Sequence, residues 1–111
     1  MLLMITSQDK DLQSQPNPQF GRTPYFIKYI LENDDWEALE NAAQSESGGA
    51  GVAASQFVIN NQASAVISGR FGPNAYHALK AAGLELWTFE PDCVSVEQVI
   101  EQYKKGLLKR G

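Results

Sequence analysis

The apolar and polar positions of this chain keep a strand-like rhythm in the first third and then alternate between helical stripes and short apolar runs. Residues 2–6 form an apolar run that predicts a buried strand. Residues 7–21 are polar and broken by Pro16 and Pro18. That is a long loop for a compact domain, a length that goes with a functional surface or with local mobility. Residues 25–31 are aromatic and β-branched, residues 32–35 read Glu-Asn-Asp-Asp, and residues 36–39 resume an apolar pattern. This is a strand, a turn and a second strand, hence a hairpin. Residues 41–49 form a second loop.

From Gly51 the period becomes helical, with Val52, Ala53, Phe57 and Val58 as the candidate apolar face. Residues 65–67 make a short buried strand. Pro73 behind Gly72 opens a second helix, whose stripe is Ala75, Ala78, Leu79 and Ala82 and whose end is Gly83. Proline at the first helical position and glycine past the last are the expected punctuation. Residues 84–89 predict a strand. Ser95 then caps a last helix, with Gln98 as its capping-box partner. Val96, Val99, Ile100, Tyr103 and Leu107 form its buried stripe, and the basic end KKGLLKRG is expected to fray. The order β-β-β-α-β-α-β-α implies an α/β domain over residues 1–111, with a parallel sheet, right-handed crossovers and an opening antiparallel hairpin.

Composition narrows the function. The chain has 111 residues, a net charge of −4 and a single cysteine. The acidic balance argues against charge-driven nucleic-acid binding. A lone cysteine forms no intrachain disulfide and no thiolate cluster. No apolar run is long enough to span a membrane, and the start MLLMI is too short for a signal peptide, so a cytoplasmic location is expected.

Three segments carry a family likeness. The first is ITSQDKDLQSQPNPQFGRTPYFIKY, with Phe20, Gly21 and Arg22 at the turn before the aromatic strand. The second is GGAGVAA, from Gly48 to Ala54. The third is AVISGRFGPNAYHALKAAGLELW, with GPNA at residues 72–75. In this order and spacing the chain resembles the dinitrogenase iron–molybdenum cofactor biosynthesis family, the NifX-like and NifB-C-terminal-like domains. The resemblance implies a ribonuclease-H-like three-layer fold with three helices and a mixed five-stranded sheet, order 3-2-1-4-5, strand 2 antiparallel. It also implies a non-enzymatic carrier or chaperone of an iron–sulfur or molybdenum-containing cluster, working with cofactor-assembly proteins. Cofactor-carrying relatives often have a histidine before the Phe-Gly of the first motif. This chain has Gln19 there, so one metal ligand of those relatives is absent.

In that strand order, strands 1 and 4 are neighbours whose connections leave in opposite directions, the switch point where open α/β sheets bind ligands. Ser68 and Gly69 end strand 4, followed by Arg70 and by the helix start at Gly72 and Asn74. Arg22 reaches the same rim from its turn. Arginines, hydroxyls and free helix N–H groups suit an anionic cluster or phosphate held without covalent ligation. Otherwise Gly72 and Pro73 only start a helix and Arg22 pairs with a surface carboxylate.

Gly49, Gly51 and Ala54 formally match a dinucleotide fingerprint. A polar loop precedes them, however, and no acidic residue closes the next strand. They fit a close-packed helix start or a flap over the cleft.

Cys93, in a turn, is either a soft metal ligand or a small packed residue. His77 lies off the stripe of its helix, which predicts an exposed side chain, with the cleft within reach as the alternative. Phe20, Tyr25 and Phe71 flank the arginine turns, either as exposed cover for a cluster or partner or as a plug at the sheet end. Asp9, Asp11, Glu32, Asp34 and Asp35 fall in turns, and neither strand 1 nor strand 4 ends in a carboxylate, which argues against nuclease chemistry. No catalytic triad stands out. An interaction module that keeps the fold without cluster binding is the alternative function, and the oligomeric state is not fixed by these residues.

Overall fold

β1 (Leu2–Ser7) is buried at every position after Leu2, the mark of a strand covered on both faces. Around it a computed structural model, which describes residues 1–45 and 49–111, builds a six-stranded sheet in the order β3-β2-β1-β4-β5-β6. Gly48 of the GGAGVAA segment lies outside the described residues. β2 (Tyr25–Ile30) runs antiparallel to β1 with Ser7 opposite Tyr25 and Leu2 opposite Ile30. β3 (Asp35–Glu40) completes the hairpin. β4 (Ala65–Ser68) lies parallel to β1, and β5 (Glu85–Thr88) lies parallel to β4. The expected order and the antiparallel second strand are therefore present.

The sheet has one strand more than expected. The basic end does not fray: β6 (Lys109–Arg110) pairs antiparallel with β5. The Arg110 guanidinium stacks 4.5 Å from the Trp87 ring, and the Gly111 N–H donates to the Leu86 carbonyl at 2.9 Å. Leu108, not Leu107, turns into the core ahead of this strand.

Alternation along the strands makes two cores. Met4, Phe26, Val66 and Leu86 face α1 (Ala50–Asn60) and α2 (Pro73–Ala81). Leu3, Ile5, Ile27 and Ile67 face α3 (Val96–Lys104). This is the three-layer α/β arrangement, with α1 and α2 on one side and α3 on the other.

Helix details depart from expectation in instructive ways. The buried face of α1 is Ala50, Ala54, Ser55 and Val58, whereas Val52 is 49% exposed. The small residues turn inward because α1 packs closely on α2, where a Cβ on Gly51 would stand 3.4 Å from that of Ala75. In α2, Ala75 and Leu79 are buried, while Ala82 is an exposed cap beyond the last turn. In α3 the Ser95 hydroxyl accepts the Gln98 N–H at 3.1 Å, but the Gln98 side chain accepts from the Val94 N–H at 2.8 Å. The capping box is thus displaced by one residue. The loop after β3 contains a short 3-10 helix, Ala42–Ser45.

Candidate functional site

The polar loop after β1 does not leave the sheet end open. It folds back across it, with isolated bridges at Ser7–Pro16 and Gln19–Arg70. The Thr6 hydroxyl donates to the Asn17 carbonyl at 2.6 Å, and the Asn17 N–H donates to the Thr6 carbonyl at 3.2 Å. Gly69 makes this closure sterically feasible, since a Cβ there would stand 2.7 Å from both the Cα and the carbonyl oxygen of Pro18. The crevice directly above β1 and β4 is therefore filled by the chain itself. Ser68 is fully buried and its hydroxyl donates to the Arg70 carbonyl at 3.2 Å. Ser68 and Gly69 lie beneath the candidate site rather than lining it.

The opening is displaced toward the α1 and α2 side. A cavity of about 340 Å³ lies between residues 19–22, the start of α1 and residues 70–72. Arg22, Gly51, Arg70 and Gly72 all line it. A smaller recess of about 190 Å³ shares Gly51 and Gly72 with it and adds Gly49 and Asn74. Of the residues expected at the rim, Arg22, Arg70, Gly72 and Asn74 are thus brought together, with Gly49 and Gly51 of the glycine-rich segment beside them.

Phe20 is not an exposed cover. It is only 2% exposed, with ring centroids 5.5 Å from Phe26 and 5.4 Å from Phe71, so the two phenylalanines at this rim form a floor. Burial follows from the loop closure that carries Phe20 inward. Tyr25 is half-buried with the Lys10 ammonium 5.7 Å from its ring centroid.

The electrostatics of this cavity run against the net charge of the chain. Gly49 and Gly72 cap α1 and α2, so neither helix start has a side-chain cap, and neither first turn carries an acidic residue. The first N–H groups of a helix have no intrahelical partner and form its positive end. Two such ends therefore lie at one opening beside two arginines. No carboxylate lines either cavity among the described residues, and there Arg70 is in none of the salt bridges.

The Arg22 turn is held from two sides. A Cβ on Gly21 would stand 3.0 Å from the Cα and N of Gly51, so glycine permits direct backbone contact with α1. Behind the turn, fully buried Asn41 donates from Nδ2 to the carbonyls of Thr23 at 2.8 Å and Gly21 at 3.2 Å. Sequence reasoning missed Asn41, because a single asparagine in a polar loop has no pattern to mark it.

The two soft-ligand candidates are not part of this constellation. Cys93 lies in the core on the α3 side, its thiol 3.5 Å from the Gln102 side-chain oxygen. Burial first, and then the neighbouring Asp92 charge, push its pKa up, which keeps it a thiol. His77 is exposed on α2, edge-on to Tyr76, and lines neither cavity. No group of three or more His, Cys, Asp or Glu side chains gathers among the described residues. The acidic turns are engaged locally: Asp9 and Asp11 accept backbone N–H groups at 2.9 Å, and Asp34 accepts from Tyr29 and Lys104. The donor set at the opening thus suits an anion held by its outer atoms, not a metal ligated by side chains.

The model of the family described as dinitrogenase iron-molybdenum cofactor matches residues 1–106. The chain belongs to the dinitrogenase iron–molybdenum cofactor family. Its fold superposes on the apo form of the orange protein from Desulfovibrio gigas with a TM-score of 0.93, at 27% identity over 99% of this chain and 92% of that one. A putative NifB protein from Thermotoga superposes with a TM-score of 0.86, at 31% identity over 98% of this chain and 91% of that one. An uncharacterized protein of Methanocaldococcus jannaschii is 27% identical over 97 residues, 85% of this chain and 80% of that protein. Among the described residues no helix of this family member is long and apolar enough to cross a membrane.

Proposed function

We propose that this chain is a non-enzymatic carrier of an anionic metal–sulfur cluster of the iron–molybdenum-cofactor kind, or of a related anion. Family membership supports a role in the biosynthesis or carriage of that cofactor. The observation that carries the reading is the meeting of two helix starts without side-chain caps, Arg22 and Arg70 at one cavity without carboxylates among the described residues. Backbone N–H groups and guanidiniums bind the outer sulfur or oxygen atoms of such a cargo by charge-assisted hydrogen bonds. The Phe20–Phe71 floor suits polarizable sulfide better than a fully hydrated oxyanion. With no cluster of metal-ligating side chains at this opening among the described residues, the cargo is held by hydrogen bonds alone and can be released, as a carrier requires. Its partners on this reading are the assembly proteins that deliver and receive the cluster.

The test is anaerobic reconstitution with iron, molybdate and sulfide, then desalting, a visible spectrum and metal analysis. Wild type is expected to retain metal in a fixed ratio. Arg70→Ala should weaken retention by roughly ten- to a hundredfold, the worth of one charge-assisted hydrogen bond. Arg70 is exposed, so the melting temperature should stay near that of wild type. A folded, colourless, metal-free wild type would instead favour the interaction module. Retention unchanged in Arg70→Ala would overturn the assignment of this cavity.

A further inference from the structure

The buried amide of Asn41 does more than fill a loop. Its backbone N–H donates to the Pro24 carbonyl at 3.0 Å. Its Nδ2 spends both hydrogens on the carbonyls of Gly21 and Thr23, which bracket Arg22. Its Oδ1 accepts the Ala43 N–H at 3.1 Å, at the start of the short 3-10 helix. One side chain therefore grips the arginine turn on both sides of Arg22 and ties it to the segment that leaves β3. Thr23, also fully buried, adds a second anchor: its hydroxyl interacts with the Ser7 and Tyr25 carbonyls at 3.1 Å and 2.9 Å.

We infer that Asn41 is the positioning residue of the anion site: it fixes the backbone on both sides of Arg22, and so sets where that guanidinium meets a ligand. This rests on the reading of the cavity proposed above. A hydroxyl or carboxylate does not replace the amide. Only a planar NH₂ offers two donors to two carbonyls while its oxygen accepts a third group. Aspartate at this position would set a carboxylate against the same two carbonyls.

The test separates positioning from general loosening. Asn41→Ala and the milder Asn41→Ser, which keeps one hydroxyl donor, are each combined with Arg22→Ala. Retention is read after iron, molybdate and sulfide reconstitution, and stability by denaturant unfolding. Asn41→Ala is expected to weaken retention roughly tenfold, as loss of outer supporting partners does at metal sites, with Asn41→Ser in between. In the Arg22→Ala background the same substitutions should leave retention unchanged while still lowering the unfolding midpoint. Equal losses of retention in both backgrounds would overturn the inference.

A second readout needs no cluster. In the ligand-free protein, Asn41→Ser should speed amide exchange at residues 21–23 and broaden or shift the Arg22 side-chain N–H resonance. Unchanged Arg22 signals in folded Asn41→Ser overturn the positioning claim by themselves. Altered Arg22 signals in a protein that retains no metal uphold positioning and overturn the proposed cargo alone.

Discussion

Replacing Gly69 by alanine adds one methyl group where the backbone of Pro18 already stands. The new Cβ would lie 2.7 Å from both the Cα and the carbonyl oxygen of Pro18. Ordinary contact begins near 3.4 Å, so the segment over the sheet end must retreat by about 0.7 Å. Both atoms are backbone, so no rotamer change relieves the clash. The retreat strains the 2.6 Å hydrogen bond from Thr6 to the Asn17 carbonyl and the bridge from Gln19 to Arg70. Overpacking of this kind costs about 1–3 kcal/mol. For a domain of this size that is a fall of roughly 4–12 °C in melting temperature. Gly72→Ala is the control, because nothing lies within 4 Å of its Cβ and its backbone is extended. There the lost unfolded-state freedom of glycine, about 0.4–1 kcal/mol, offsets the weaker cap that alanine makes. Calorimetry on the two variants reads the difference, and amide exchange at residues 16–20 shows whether the segment lifts. A Gly69→Ala protein that melts with wild type would refute the close-packed plug and with it the displaced position of the cavity.

Cys93 should react slowly with a thiol reagent in the native protein and rapidly once unfolded, because burial holds it as a thiol. Cys93→Ser should leave metal retention unchanged, and a loss of retention would place the cargo on the α3 side instead. The turn before β3 should give a two-sided pH profile. Asp34 is lowered from 3.8, by the Tyr29 hydrogen bond first and then by Lys104, so its contribution is present above 3.8 and is lost as pH falls through the lowered value. Tyr29 is raised from 10.0, by burial first, and Lys104 from 10.5, by its bond to Asp34 first. Their contributions are full below those values and are lost as pH rises through the raised ones. Denaturant midpoints of wild type should therefore exceed those of Asp34→Asn by a constant margin from about pH 4 to 10, shrinking at both ends. A margin that does not vary with pH would remove this network from the account.

The elements with their own local signals were legible in the sequence. Pro73 and Gly83 bracket α2, Ser95 starts α3, and the apolar run of residues 2–6 marks the central strand. What was hidden depends on partners distant in sequence. A two-residue strand such as β6 has no period to detect and exists because β5 offers an edge and Trp87 a surface for Arg110. Helix α1 carries apolar residues on several sides, so its phase is set by tertiary packing, of Ala54 and Val58 in the core and of Gly51 against Gly21 and Ala75. The candidate site divided the same way. Arg22, Arg70 and the helix start at Gly72 could be named from the switch-point argument, and Gly49 and Gly51 from their glycine pattern alone. That Gly69 sits under Pro18 and that Ser68 is buried could not, because the closure of a polar loop over a sheet end leaves no trace in periodicity. Phe20 turned inward for the same reason.

The most direct measurement is a map of backbone amide shifts on reconstitution with iron, molybdate and sulfide, using isotope-labelled protein. The affected amides are expected to cluster at residues 20–22, at Ala50 and Gly51, and at residues 70–72 and 74–75, with α3 and Cys93 unmoved. Shifts centred on Cys93, or spread evenly over the surface, would contradict it.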